Sequence, residues 1–68
     1  MNLKTDTLYR VTKGNSDGSI LAGDIIRLSS RDGSLWNNCG GNQGGWLDAN
    51  ELTPEIMNFK AKIYDVRK

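Results

Sequence analysis

The side chains of this 68-residue chain best equipped for recognition chemistry are Trp36, Trp46, Arg27 and Arg31. An indole offers a flat face on which a planar base can stack, and a guanidinium can grip a phosphate through two parallel hydrogen bonds. Arg27 and Arg31 stand near Trp36 across the Asp32-Gly33 turn. If Trp36 points outward, the three make an aromatic face beside two cations. Asn37, Asn38, Asn42 and Gln43 follow within a few residues and can read the polar edges of a base. These residues, with Trp46, form the candidate ligand site. An ordinary solvated hairpin is the competing explanation of the same pattern.

The two indoles are expected to divide their roles. Burying one contributes a few kcal/mol, about the whole net stability of so small a domain, so at least one should be structural. Trp46 adjoins Leu47 in an expected strand and is assigned to the edge of the core. Trp36 alternates with Leu35, so it faces out if Leu35 faces in.

A second cationic and aromatic set closes the chain: Lys60, Lys62, Tyr64, Arg67 and Lys68. It suits a nucleic-acid backbone, which is the alternative functional expectation. Lysines on a last strand also protect an edge against unwanted pairing, and the same surface could be a contact between subunits.

Other chemistry is poorly supplied. Nucleophilic catalysis needs a serine or cysteine beside a base, usually histidine, and the sequence has no histidine. Cys39 is the sole cysteine, which excludes an intrachain disulfide and a zinc site of about four N or S ligands. Asp17, Asp24 and Asp32 each adjoin a glycine, a turn pattern rather than an acid–base pair. A calcium loop with Gly18 at its sixth position would put Lys13 at the first ligand position, where a cation cannot serve. The glycine-rich stretch 40–45 lacks the Lys-Ser/Thr ending of a phosphate-binding loop and reads as a flexible hairpin loop, although its N–H groups could meet an anion or a base edge. No catalytic residue, metal or cofactor is expected.

The elements that must position these residues are short strands between turn-rich segments. Residues 7–12 carry β-branched and aromatic side chains, and 13–19 are turn formers. Residues 25–29 form a second strand with Ile26 and Leu28 on one face and Arg27 on the other. Asp32-Gly33 predicts a tight hairpin to a third strand on 35–38. Trp46-Leu47 makes a fourth. Asp48 and Glu51 have the spacing of a capping box around one helical turn, and Thr53-Pro54-Glu55 repeats that pattern. Phe59, Ala61 and Ile63 alternate with Lys60, Lys62 and Tyr64 in a last strand with one buried face.

Gly23-Asp24-Ile25-Ile26 before a hairpin, then Leu35-Trp36, then Gly45-Trp46-Leu47 with a turn ending at Leu52, resembles the strand and turn order of SH3-like barrels. The resemblance covers roughly residues 7–66 and implies a mainly β, five-stranded SH3-like barrel with one short helical turn. The acidic, aromatic first loop and the tyrosine pair of signalling SH3 domains are missing, so proline-peptide binding is not implied. The Tyr9-Arg10-Val11-Thr12-Lys13-Gly14 start, the Gly-Asp-Ile-Ile strand and Gly44-Gly45-Trp46-Leu47 more closely resemble short accessory proteins of bacteriophages and prophages. That resemblance implies a nucleotide-type small molecule or a host protein as partner, in evasion of host defence.

Size and charge set the frame. Residues 1–68 are one domain, because a chain this short cannot build two cores. Its net stability should be about 3–5 kcal/mol, and oligomerisation is the support left open. The net charge of +1 is far from that of a non-specific DNA coat. Met1 to Thr7 lack a signal-peptide run, and no stretch approaches the roughly 20 apolar residues of a membrane span. A soluble protein without membrane contact is expected, in the cytoplasm of the host bacterium.

Overall fold

Alternation along the first strand sets the two faces of the molecule. In β1 (Leu8–Lys13) Tyr9 and Val11 are buried, while Leu8, Arg10 and Thr12 are exposed. The computed structural model describes residues 3–41 and 43–64. Within them the chain adds β2 (Ile25–Leu28), β3 (Leu35–Asn37), β4 (Gly45–Leu47) and β5 (Lys60–Ile63). All neighbours are antiparallel, in the order β4-β3-β2-β1-β5. The first four strands pair with their sequence neighbours through local connections, and β5 returns to the far side of β1. The expected barrel is not closed: β4 and β5 are the two edges of an open sheet.

One face of this sheet carries the core. Tyr9, Val11, Ile26 and Leu35 come from the strands, and Ile20 and Phe59 come from the connections that fold over them. Leu28, Leu47, Leu52, Ile56, Met57 and Ala61 pack around this cluster. Each fully buried aliphatic chain contributes about 1.5–3 kcal/mol, which is comparable with the whole net stability of a domain this small. The buried face fades at the β5 edge, where Ala61 is half-buried and Ile63 is exposed. Ile63, expected inside, pairs with Tyr9 at the sheet edge, and among the described residues no strand lies beyond it.

Two identical tripeptides shape the turns. In Asp17-Gly18-Ser19 and Asp32-Gly33-Ser34 the aspartate Oδ1 accepts from the serine N (2.9 and 3.0 Å) and from the serine Oγ (2.7 Å in both). The central glycines have φ of +82° and +78°, a region that side chains with a Cβ avoid. Each turn delivers the next residue, Ile20 or Leu35, into the core with no exposed surface. The Asp-Gly step thus aims an apolar anchor as well as reversing the chain.

A buried polar network ties the connections to the sheet. Asp24 Oδ2 accepts from Leu21 N at 3.0 Å and from Asn37 Nδ2 at 3.1 Å. Asn37 Nδ2 also reaches Ser19 O, and Asn37 Oδ1 accepts from Cys39 N at 2.8 Å. Asn15 extends the system, donating to Ser19 Oγ and Ile56 O and accepting from Ile20 N. Asn37 is therefore a structural residue and not the base reader expected from its neighbourhood. It lies on the core face because it pairs with Ile26.

The helical turn after β4 is a 3-10 turn at Ala49–Glu51, with Glu51 Oε1 accepting from Asp48 N at 3.2 Å. Residues 53–58 form hydrogen-bonded turns, with Met57 N donating to Thr53 O at 3.0 Å and Ile56 N to Thr53 Oγ1 at 3.3 Å, the cap bond expected of Thr53. Among the described residues no helix is long and apolar enough to cross a membrane.

Candidate functional site

The strand register lines up Trp46, Trp36, Arg27 and Leu8 side by side across β4, β3, β2 and β1. Their sequence neighbours Leu47, Leu35, Ile26 and Tyr9 face the core, so the row itself faces outward. Tyr64 continues it beyond β5, its N donating to Leu8 O at 3.0 Å. A second outward row holds Ile25, Arg10 and Lys62, also paired directly.

Within the first row Arg27 reaches across β3. Its guanidinium carbon stands 5.5 Å from the centre of the Trp46 ring, within cation–π range. Its Nε is buried and has no hydrogen-bond partner among the described residues. An unpaired buried N–H costs about 1–3 kcal/mol, and because this one is shut off from solvent it could gain an acceptor only if the Arg27 side chain moved. Trp36 is half-buried on the strand between Arg27 and Trp46, and Gly44 lies against its indole: a Cβ built on Gly44 would come to 2.5 Å from Trp36 Nε1. Gly44 is therefore the residue of the glycine-rich loop that lets the chain close over Trp36.

Trp46 is 51% exposed, which corrects its assignment to the core edge. Adjacency to Leu47 misled, since neighbours in a strand point to opposite faces and Leu47 is the one that packs inward. Trp36 faces out opposite an inward Leu35, as the alternation required, but is more covered than Trp46.

Arg31 is exposed and shares with Trp46 a shallow groove of about 330 Å³, lined also by Ser29, Asp32, Ser34 and Asp48. Two carboxylates in that groove set it apart from the cationic row. The Asp32 carboxyl is held below its ordinary value by the Ser34 hydroxyl and N–H, with a smaller contribution from Arg31. Asp6 is lowered in the same way by Ser30, whose Oγ donates to Asp6 Oδ2 at 2.6 Å, and then by the charge of Arg27. Asn38 is half-buried and its N donates to Ile25 O, while Gln43 is exposed. Asn42, Arg67 and Lys68 lie outside the described residues.

Toward the other edge, Lys60 and Lys62 are exposed on β5. Arg10 sits directly opposite Lys62, with its guanidinium 5.1 Å from the Tyr64 ring centre. The structure thus brings together Trp36, Trp46 and Arg27 at one station and Tyr64 and Lys62 at another. Sequence reasoning missed Arg10 and Leu8, although the outward alternation of β1 carried the signal.

Among the described residues no group of three or more His, Cys, Asp or Glu side chains is placed to hold a metal ion. Comparison of the chain with protein-family models, curated proteins and solved structures gives no match.

Proposed function

We propose that the chain is a non-catalytic binding module whose outward sheet face takes a nucleotide-type ligand, with the base stacked on the exposed Trp46 ring and a phosphate held by Arg27. One observation carries this: the Arg27 guanidinium is drawn to 5.5 Å from the centre of the exposed Trp46 ring. A cation already laid on an aromatic ring combines a stacking surface with an anion donor. Arg31 at the adjoining groove is a second phosphate contact, weakened by Asp32 and Asp48.

The strand order and the 3-10 turn between β4 and β5 support an SH3-like arrangement of the strands, with the sheet left open between β4 and β5. The resemblance to phage accessory proteins supports sequestration of a nucleotide-type host defence signal in the host cytoplasm, or inhibition of a host protein. The outer edge of β4 supports association of copies, since a second chain could extend the sheet there.

A thermal-shift screen against a nucleotide library, followed by titration of tryptophan emission, tests the site. A nucleotide should raise the melting temperature and quench emission saturably. Trp46→Ala and Arg27→Ala should each weaken it by at least about tenfold, with far-UV circular dichroism unchanged. Unchanged affinity in both variants would sink the proposed site, as would a library in which no nucleotide binds.

A further inference from the structure

We infer that the ligand is a single-stranded oligonucleotide laid across the strands, not one isolated nucleotide; this rests on the stacking role assigned above to Trp46 and Arg27. Two cation–aromatic stations lie on the same outward face. At one, Arg27 covers Trp46; at the other, Arg10 covers Tyr64. Trp46 belongs to β4 and Tyr64 follows β5, the opposite edges of the sheet. Four strand spacings separate them, about 19 Å along the sheet. At about 3.4 Å per stacked nucleotide that is some five or six residues, and fewer for an unstacked strand. A mononucleotide can occupy one station only.

The residues between the stations suit such a strand. Leu8 is exposed in the first row, where it offers an apolar rest for a further base. Arg10 and Lys62 face each other in the second row. Two like charges directly opposite are unfavourable in a sheet unless an anion lies between or over them. The paired positions of these two rows, Trp46, Trp36, Arg27 and Leu8, then Ile25, Arg10 and Lys62, contain no carboxylate. Three acids lie along one end of the sheet: Asp6 just before β1, Asp32 in the β2–β3 turn and Asp48 just after β4; Asp17 and Asp24 lie in the β1–β2 connection at the other end, Asp24 buried. The charge of the first three bounds the track on their side and confines a polyanion to the rows of arginine and lysine. Stacking on exposed rings with backbone contacts to cations is the mode by which small β modules hold single strands without reading their sequence.

Oligodeoxyadenylates of one, two, four and six nucleotides, titrated by tryptophan emission at fixed ionic strength, test the inference. Affinity should rise at least about tenfold from the mononucleotide to the longer strands and then level off. The double variant Arg10→Ala, Tyr64→Ala should lose that gain while keeping the mononucleotide affinity within about twofold. Trp46→Ala should weaken every length. Lys62→Gln, a change at an exposed side chain, should lower the salt dependence of the hexanucleotide by about 0.7 in the log–log slope.

A wild-type protein that binds the mononucleotide as tightly as the hexanucleotide would overturn the inference and leave the single-nucleotide site standing. So would a length gain that survives in the double variant, or a duplex of equal length that binds as tightly as the single strand. If no length binds at all, the stacking role of Trp46 falls first and the inference with it.

Discussion

Adjacent glycines before and within β4 face opposite fates on substitution, and that contrast tests the packing of the site. A Cβ on Gly44 would lie 2.5 Å from Trp36 Nε1 and 2.6 Å from Cε2 and Cζ2, whereas one on Gly45 meets nothing within 4 Å. Neither glycine has a positive φ, so alanine is allowed by the backbone at both. Alanine at Gly45 should then stabilise by about 0.4–1 kcal/mol, because it restricts the unfolded chain. The same gain applies to Gly44→Ala, but the indole must move, and forced overpacking costs about 1–3 kcal/mol. The two variants should therefore differ by about 1–3 kcal/mol. For a domain of this size each kcal/mol shifts the melting temperature by about 4–8 °C. Thermal and urea denaturation give the comparison, and tryptophan emission reports the displaced ring. Equal stability of the two variants, with emission unchanged in Gly44→Ala, would refute the closure of the loop on Trp36.

Two further outcomes follow from the polar groups. Asn37→Leu removes the Nδ2 donors to Asp24 Oδ2 and Ser19 O and the acceptor for Cys39 N, so it should cost at least about 1–3 kcal/mol, read as a lower urea midpoint. An unshifted midpoint would contradict the role of this network. Asp6, Asp17 and Asp32 have carboxyls below the ordinary value of 3.8, each first through a serine hydroxyl (Ser30, Ser19 and Ser34) that favours the charged form. Since the folded value is the lower one, their stabilisation is present above about pH 4 and is lost as pH falls through the folded values. The melting temperature should hold steady above about pH 5 and decline below about pH 4, less steeply in Ser19→Ala and Ser34→Ala. A decline equally steep in those variants would assign the acid sensitivity elsewhere.

Much of the strand plan is legible along the chain because alternation and turn chemistry are local. Ile26 and Leu28 inside with Arg27 outside, the Asp32-Gly33 hairpin and the helical turn after Asp48 all follow from properties of a few consecutive residues. The same locality explains the errors. Asn37 looks like its polar neighbours Asn38 and Asn42, and its burial depends on pairing with Ile26 and on Asp24 thirteen residues away. Trp46 was placed by its neighbour Leu47, when period-two geometry puts adjacent residues on opposite faces.

By itself the sequence determined a small β domain with its five strands closely located, a candidate set of tryptophans and arginines for binding, and the absence of histidine. Only the tertiary structure decided that the sheet is open, that Trp46 is the more exposed indole, and that Arg10 and Tyr64 share a face with Arg27 and Trp46. The physical reason is register. Which side chains meet across strands depends on pairings between residues far apart in the chain, and a shift of one residue would exchange the two faces.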